Sequence, residues 1–284
     1  MKKIVGVSFT EVGKIYWFNP GLLTLVKGTK VVVETVRGLE LAMVEVPPKE
    51  VEDSELTHEL KDVLRVADSN DLKQYEENIK QSKISFEKVK KIIEEFKLDM
   101  KLLGCEYTLD ATKLLIYYNA EGRVDFRELV KALASEFKLR IELRQIGPRE
   151  GAKIVGAIGT CGREVCCKKH IREFDLVTMK MAKEQGMALS STKIAGVCGK
   201  LMCCISYENK VYEDAKKRVP GVGDIVKTPT CDRCKVVNAD FLREIIKTDN
   251  NGTIEQWEAK EVIKIKSAKN KEEKPTAEEL KLED

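Results

Sequence analysis

Cysteine is the residue type best placed to do chemistry in this 284-residue chain, and six of its nine cysteines repeat one pattern. The first copy reads Gly159-Thr160-Cys161-Gly162-Arg163-Glu164-Val165-Cys166-Cys167. The second reads Gly196-Val197-Cys198-Gly199-Lys200-Leu201-Met202-Cys203-Cys204. Each cysteine of the first copy lies 37 residues before its counterpart, and both copies keep two glycines and a basic residue after the second. Thiolate is a soft donor, so such clusters select zinc, copper(I) or iron–sulfur centres over hard cations. Zinc is usually closed by C-x2-4-C pairs. The C-x4-C gap here matches the opening spacing of plant-type ferredoxins without the rest of that pattern. Adjacent cysteines face opposite sides of a strand, or diverge by about 100° on a helix. One vicinal pair can therefore serve two centres, or one centre and a packing contact. Gly162 and Gly199 allow tight turning beside the ligands, with backbone N–H groups near sulfur. Spacing alone leaves iron–sulfur, zinc and reduced core cysteines open.

Charge around the repeat bears on the choice. Between Arg140 and Arg172 there are eight Lys/Arg against three Glu, whereas Glu50 to Met100 carries fourteen acidic residues against nine basic ones. Arg163, Lys168, Lys169, Arg172 and Lys200 would favour thiolate and offset an anionic cluster. They equally suit a zinc module that binds nucleic acid, or a solvated face. Cys231-Asp232-Arg233-Cys234 is a further pair, readable as an accessory metal site, a dithiol or a chance pair in a turn. Cys105 opens a predicted strand and is expected in the core. His170 can complete a zinc site or serve as a surface base, and His58 has no ligand company. No Ser/His/Asp arrangement, Walker-type loop or dinucleotide fingerprint is present.

The elements that must hold these residues predict an α+β protein. Residues 1–48 read as a small β-domain, with strands near 4–9, 15–18, 30–35 and 40–44 divided by glycines and closed by Pro47-Pro48. Residues 49–103 read as a helical arm, capped near Ser69-Asn70-Asp71, whose apolar stripe is expected to pack within the chain. Residues 104–219 read as an α+β core: strands at 105–109, 113–118 and 140–146, helices after Asp125 and over 174–186, and a charged connector over 207–218. Residues 220–266 form a second β-domain with a turn at Asp249–Gly252, and the Lys/Glu-rich 267–284 segment is expected to be a disordered tail.

Composition excludes other classes. The chain is 43% hydrophobic and 34% charged, with a net charge of +3. No apolar run approaches the roughly 18 residues of a bilayer span. The N-terminus lacks a secretory pattern. A cytoplasmic location is expected, where cysteine clusters more often mean metal than disulfide.

Several stretches resemble the YaaT (RicT) family of Firmicutes, stage 0 sporulation proteins with a PSP-type C-terminal homology region. They are Val124–Val130, Arg140–Gln145, Ile146-Gly147-Pro148-Arg149-Glu150, the two cysteine motifs, Met179–Gln185 and Thr192–Gly196. The resemblance implies a non-enzymatic subunit that joins YlbF (RicF)- and YmcA (RicA)-like partners in a complex with two [4Fe–4S] clusters and FAD. It implies promotion of messenger RNA maturation with RNase Y, and support of the phosphorelay behind sporulation, competence and biofilm formation. By the same resemblance, Cys161, Cys166, Cys167, Cys198, Cys203 and Cys204 are the candidate ligands, with some clusters completed by partner cysteines. Thr160 stands where the family usually has proline. Cys231 and Cys234 fall where a glycine-rich turn is expected, so their role is not inherited. A zinc-dependent nucleic-acid-binding module and a C-x-x-C redox enzyme are the readings from other classes.

Overall fold

The computed structural model describes residues 2–52, 59–122, 124–188 and 190–267. The chain divides into two compact units, Met1–Glu173 and Phe174–Asp284. Both helices and sheets are present, with β-sheets near either end, so the chain has the expected α+β class. The predicted tail beyond 267 and His58 lie outside the described residues. No helix among the described residues is long and apolar enough to cross a membrane.

The first unit begins with strands β1 (Lys2–Ser8), β2 (Tyr16–Phe18), β3 (Lys30–Glu34), β4 (Leu39–Val51) and β5 (Val63–Val66). They form one antiparallel sheet in the order β2-β1-β4-β3-β5. Its two edges meet at Asn19, whose N–H donates to Lys61 O at 2.8 Å and whose carbonyl accepts from Val63 N at 2.9 Å. The sheet therefore curls into a small barrel around Val5, Val7, Phe18, Val31, Val33 and Val44. Two details differ from expectation. Pro47-Pro48 does not end the strand, because β4 passes through the pair where its register with β1 slips between Ile4↔Lys49 and Gly6↔Val46. An irregularity of this kind accommodates residues that lack an N–H. The barrel also takes a fifth strand from the stretch read as helical arm, since Val63 alone of β5 is buried and the strand shows no alternation to read.

Helix α1 (Ser69–Phe96) is a single helix of 28 residues, about 42 Å long. Asp68 and Asp71 form a reciprocal cap at its start, and Lys97 ends it in the left-handed region at φ 50°. Part of its stripe packs within the chain as expected, while Ile79 and Phe96 of that stripe stay exposed. Val89 and Ile93 join Leu114, Ile116, Leu129 and Leu133 in a core shared with β6 (Lys101–Tyr107), β7 (Lys113–Asn119), α2 (Arg127–Phe137) and β8 (Arg140–Gln145). In this three-stranded sheet β6 and β7 are antiparallel, and α2 carries the chain over to the parallel strand β8. Helix α3 (Pro148–Val155) then packs on β6, so closely that a Cβ at Gly151 would meet Leu103 at 3.0 Å.

The second unit has a helical part and a sheet. Helices α5 (Met179–Glu184), α6 (Ser191–Ile194) and α7 (Cys203–Lys216) surround Val177, Met179, Ala182, Ile194, Leu201 and Ile205; α4 (Cys166–Lys169) belongs to the first unit. The stretch read as a connector over 207–218 is mostly helix α7, which begins within the second cysteine motif. The sheet follows as β9 (Ile225–Lys227), β10 (Cys234–Asp240), β11 (Ile245–Asn250), β12 (Thr253–Glu258) and β13 (Ile263–Lys266), in the order β12-β11-β10-β9-β13. The β11–β12 hairpin turns at Asn251 and Gly252, both at positive φ, with Gly252 N donating to Asp249 Oδ1 at 2.8 Å.

Candidate metal centre

The sequence repeat is also a structural repeat. In the first copy a bridge pairs Ile158 with Glu164, and in the second the bridge joins Ala195 and Leu201, each partner displaced by 37 positions. Gly159 N donates to Arg163 O at 2.8 Å, as Gly196 N does to Lys200 O at 2.8 Å. Gly162 N donates to Gly159 O at 2.9 Å, matched by Gly199 N to Gly196 O at 2.9 Å. Val165 N bonds Ala157 O at 3.0 Å, and Met202 N bonds Ile194 O at 3.0 Å. Each copy is thus a closed knuckle with one cysteine on its turn and the vicinal pair opening a helix, α4 or α7. The turn needs glycine, with φ at 76° for Gly162 and 81° for Gly199. The turn cysteine curls back the same way in both copies. A Cβ at Gly159 would lie 3.5 Å from Cys161 Sγ, and one at Gly196 would lie 3.7 Å from Cys198 Sγ.

The vicinal pairs sit on helices, so their side chains diverge by about 100°. In the first copy Cys161 is exposed, Cys166 half-buried and Cys167 buried; in the second, Cys198, Cys203 and Cys204 are all half-buried. None of the six is joined in a disulfide. Cys167 lies within electrostatic reach of Lys153 on α3, whose ammonium is lowered from its ordinary value by partial burial, with Cys167 acting in the opposite sense. Cys204 lies within reach of Tyr212, two helical turns along α7; burial raises that phenol most, and Glu208, Asp240 and Cys204 add to it. The donor set is three soft sulfurs per knuckle, which is the chemistry of a thiophilic centre. Among the described residues, no three His, Cys, Asp or Glu side chains are gathered at metal-holding geometry. The two copies fall in different units, Cys161, Cys166 and Cys167 in the first and Cys198, Cys203 and Cys204 in the second.

Much of the basic run before the first knuckle acts within its own unit. Lys153 Nζ donates to the Val12 carbonyl. Arg172 donates to Gly13 O at 3.0 Å and pairs with Glu45 at 3.1 Å. Lys168 folds over Gly156 and lies 4.0 Å from Glu164. Arg163, Lys169 and His170 remain at the surface. In the sequence Arg172 reads only as a charge beside the thiols. Its anchoring contacts to Gly13 and Glu45, and the approach of Lys153 to Cys167, carried no local signal, since the partners are distant in sequence.

The other cysteines separate from the repeat. Cys105 packs against the α1–α2 core as expected, and burial pushes its thiol up to about 12. Cys231 and Cys234 are bonded to each other, so in this form neither is available as the accessory metal ligand the sequence allowed.

Comparison with known proteins follows the same geography. The PSP1 C-terminal conserved region matches residues 61–146, from β5 to the end of β8, and the third domain of PSP1-like proteins matches residues 176–219, which contain the second knuckle. Stage 0 sporulation protein YaaT of Bacillus subtilis is 45% identical over 249 residues, covering 88% of this chain and 90% of that protein. Protein PSP1 of Saccharomyces cerevisiae is 47% identical over 47 residues, 16% of this chain and 6% of the yeast protein. An uncharacterized protein of Schizosaccharomyces pombe is 47% identical over 49 residues, again 6% of its own length. No solved structure matches the chain.

Proposed function

Because the chain belongs to the family of stage 0 sporulation protein YaaT, we propose that it is a non-enzymatic, thiolate-bearing subunit of a cytoplasmic regulatory complex. In this reading it assembles with YlbF (RicF)- and YmcA (RicA)-like partners, promotes RNase Y-dependent messenger RNA maturation, and supports sporulation, competence and biofilm formation. Cys161, Cys166 and Cys167 in one knuckle, and Cys198, Cys203 and Cys204 in the other, are the ligands offered to [4Fe–4S] clusters. A bound cluster would supply a rigid, redox-responsive cross-link.

The observation that carries this reading is the bond-for-bond repetition of a three-sulfur knuckle. A core packing role does not require the same turn, the same bridge and the same thiol triplet twice. A [4Fe–4S] cluster takes four thiolates, and neither knuckle gathers three of its own among the described residues, so in this reading each cluster is completed on assembly. Within each knuckle, the turn glycine sets the first sulfur and the helix start sets the vicinal pair. Lys153 lies within electrostatic reach of Cys167, where a cation would favour thiolate. FAD is carried to the assembled complex by family resemblance alone.

Single Cys161→Ser and Cys203→Ser chains, co-purified anaerobically with the two partners, test the reading. Loss of iron together with loss of partner association is the expected result. A complex that forms without iron, or that holds stoichiometric zinc in its place, overturns the cluster assignment; zinc with salt-sensitive RNA binding would favour the nucleic-acid module.

A further inference from the structure

The Cys231–Cys234 bond lies outside the repeat, in the turn between β9 and β10. We propose that Cys231 and Cys234 form a reversible dithiol–disulfide couple, in which Cys231 receives an incoming thiolate and Cys234 is the leaving and resolving thiol. The chemical class of the co-reactant is a low-molecular-weight thiol and its disulfide.

Three observations carry this. The two sulfurs differ in access: Cys231 is half-exposed in the turn, whereas Cys234 is 1% exposed and pairs with Val226 across the sheet. The turn does not depend on the bond, because Thr228 N donates to Cys231 O at 2.8 Å and Cys231 N to Thr228 O at 3.4 Å. Asp232 also pairs with Lys227 at 2.7 Å. The ring closed by the bond spans a sequence separation of only 3, and so short a loop removes little entropy from the unfolded chain. The bond is therefore dispensable to the fold and reachable from one side, which is the arrangement of an exchangeable disulfide rather than a structural one.

In the reductive direction a thiolate attacks Cys231 Sγ and the Cys231–Cys234 bond breaks. Cys234 leaves as thiolate and takes a proton from solvent. A second thiolate then attacks the outer sulfur of the mixed disulfide, releasing Cys231 as thiolate, which is protonated in turn. Two thiols are oxidised to one disulfide while the protein disulfide gains two electrons and two protons. Oxidation runs through the same mixed disulfide in reverse. After reduction the Thr228–Cys231 backbone bonds and the Lys227–Asp232 pair still hold the turn, and buried Cys234 stays in the sheet as a small apolar residue.

The test uses the full chain equilibrated in buffers of varied glutathione ratio, with thiols trapped by alkylation and read by peptide mass spectrometry. The expected result is joint loss and recovery of the Cys231–Cys234 bond without denaturant. In the reduced chain, alkylation should be about tenfold faster at Cys231 than at Cys234. Cys234→Ala should accumulate a glutathione mixed disulfide at Cys231, and the wild-type alkylation rates decide the matter if that variant does not fold. A bond that never forms, one that opens only on unfolding, or equal rates at the two cysteines would overturn the proposal. The readout involves only these two residues, so it succeeds or fails independently of iron binding by the repeat.

Discussion

Gly199 donates its N–H to the Gly196 carbonyl over 2.9 Å while holding φ at 81°, and this pair closes the turn that carries Cys198. No atom lies within 4 Å of a Cβ built at Gly199 or at Gly162, so each glycine is required by backbone conformation and not by space. Gly199→Ala should therefore cost about 1–2 kcal/mol through the left-handed backbone alone. Gly162→Ala should cost a similar amount, as the knuckle is the same. Urea unfolding of the two variants checks this, and a cost at one site without the other would deny that the knuckles are equivalent.

Asn78 fastens α1 to the β6–β7 hairpin. It is 6% exposed, and its amide donates to Thr108 O at 2.9 Å and Leu109 O at 3.3 Å. Asn78→Ala removes both contacts, although Thr108 O keeps Ala111 N at 2.8 Å, and should lower stability by about 1–3 kcal/mol. The loss should appear in unfolding midpoint, with iron content in the assembled complex unchanged.

Arg172 ties the segment after the first knuckle to the barrel through Gly13 and Glu45, whose side chain is only 9% exposed. Arg172→Ala leaves that carboxylate without its cation and should cost about 1–3 kcal/mol. Arg172→Lys should recover part of the loss. Thermal unfolding of the variants, alone and combined with Glu45→Gln, reads the coupling.

Cys105 gives a pH signature. Burial pushes its thiol from 9.0 up to about 12. The folded chain keeps a proton that the unfolded chain has already lost, so this contribution to stability is complete below about pH 9 and falls as pH rises towards 12. Denaturant titrations across that range should show the decline, with a shallower slope in Cys105→Ala. Cys105 should also resist alkylation in the native chain at pH values where Cys161 reacts.

Legibility in the sequence followed local pattern. The strands β1, β3, β7 and β8 stand out as β-rich runs between turn residues, and α1 is legible from its capping residues and long stripe. Strand β5 hides because three of its four residues are exposed. Helix α7 hides because it buries only Ile205, Asn209 and Ala215, and because its first two residues are the vicinal cysteines of the second motif. The knuckles were legible as paired glycines and cysteines at one spacing. What spacing could not give was that the copies belong to separate units, or that Arg172 reaches Glu45. Those facts depend on long-range packing, which leaves no periodic trace.

In the proposed function the six repeated cysteines hold iron–sulfur clusters. Its most direct test is iron and acid-labile sulfide analysis of the anaerobically purified chain, alone and with its two partners. Cluster-level iron and sulfide in equal amounts are expected in the assembled complex, with little in the isolated chain. Iron-free complex, or zinc at one or two equivalents without sulfide, would contradict it.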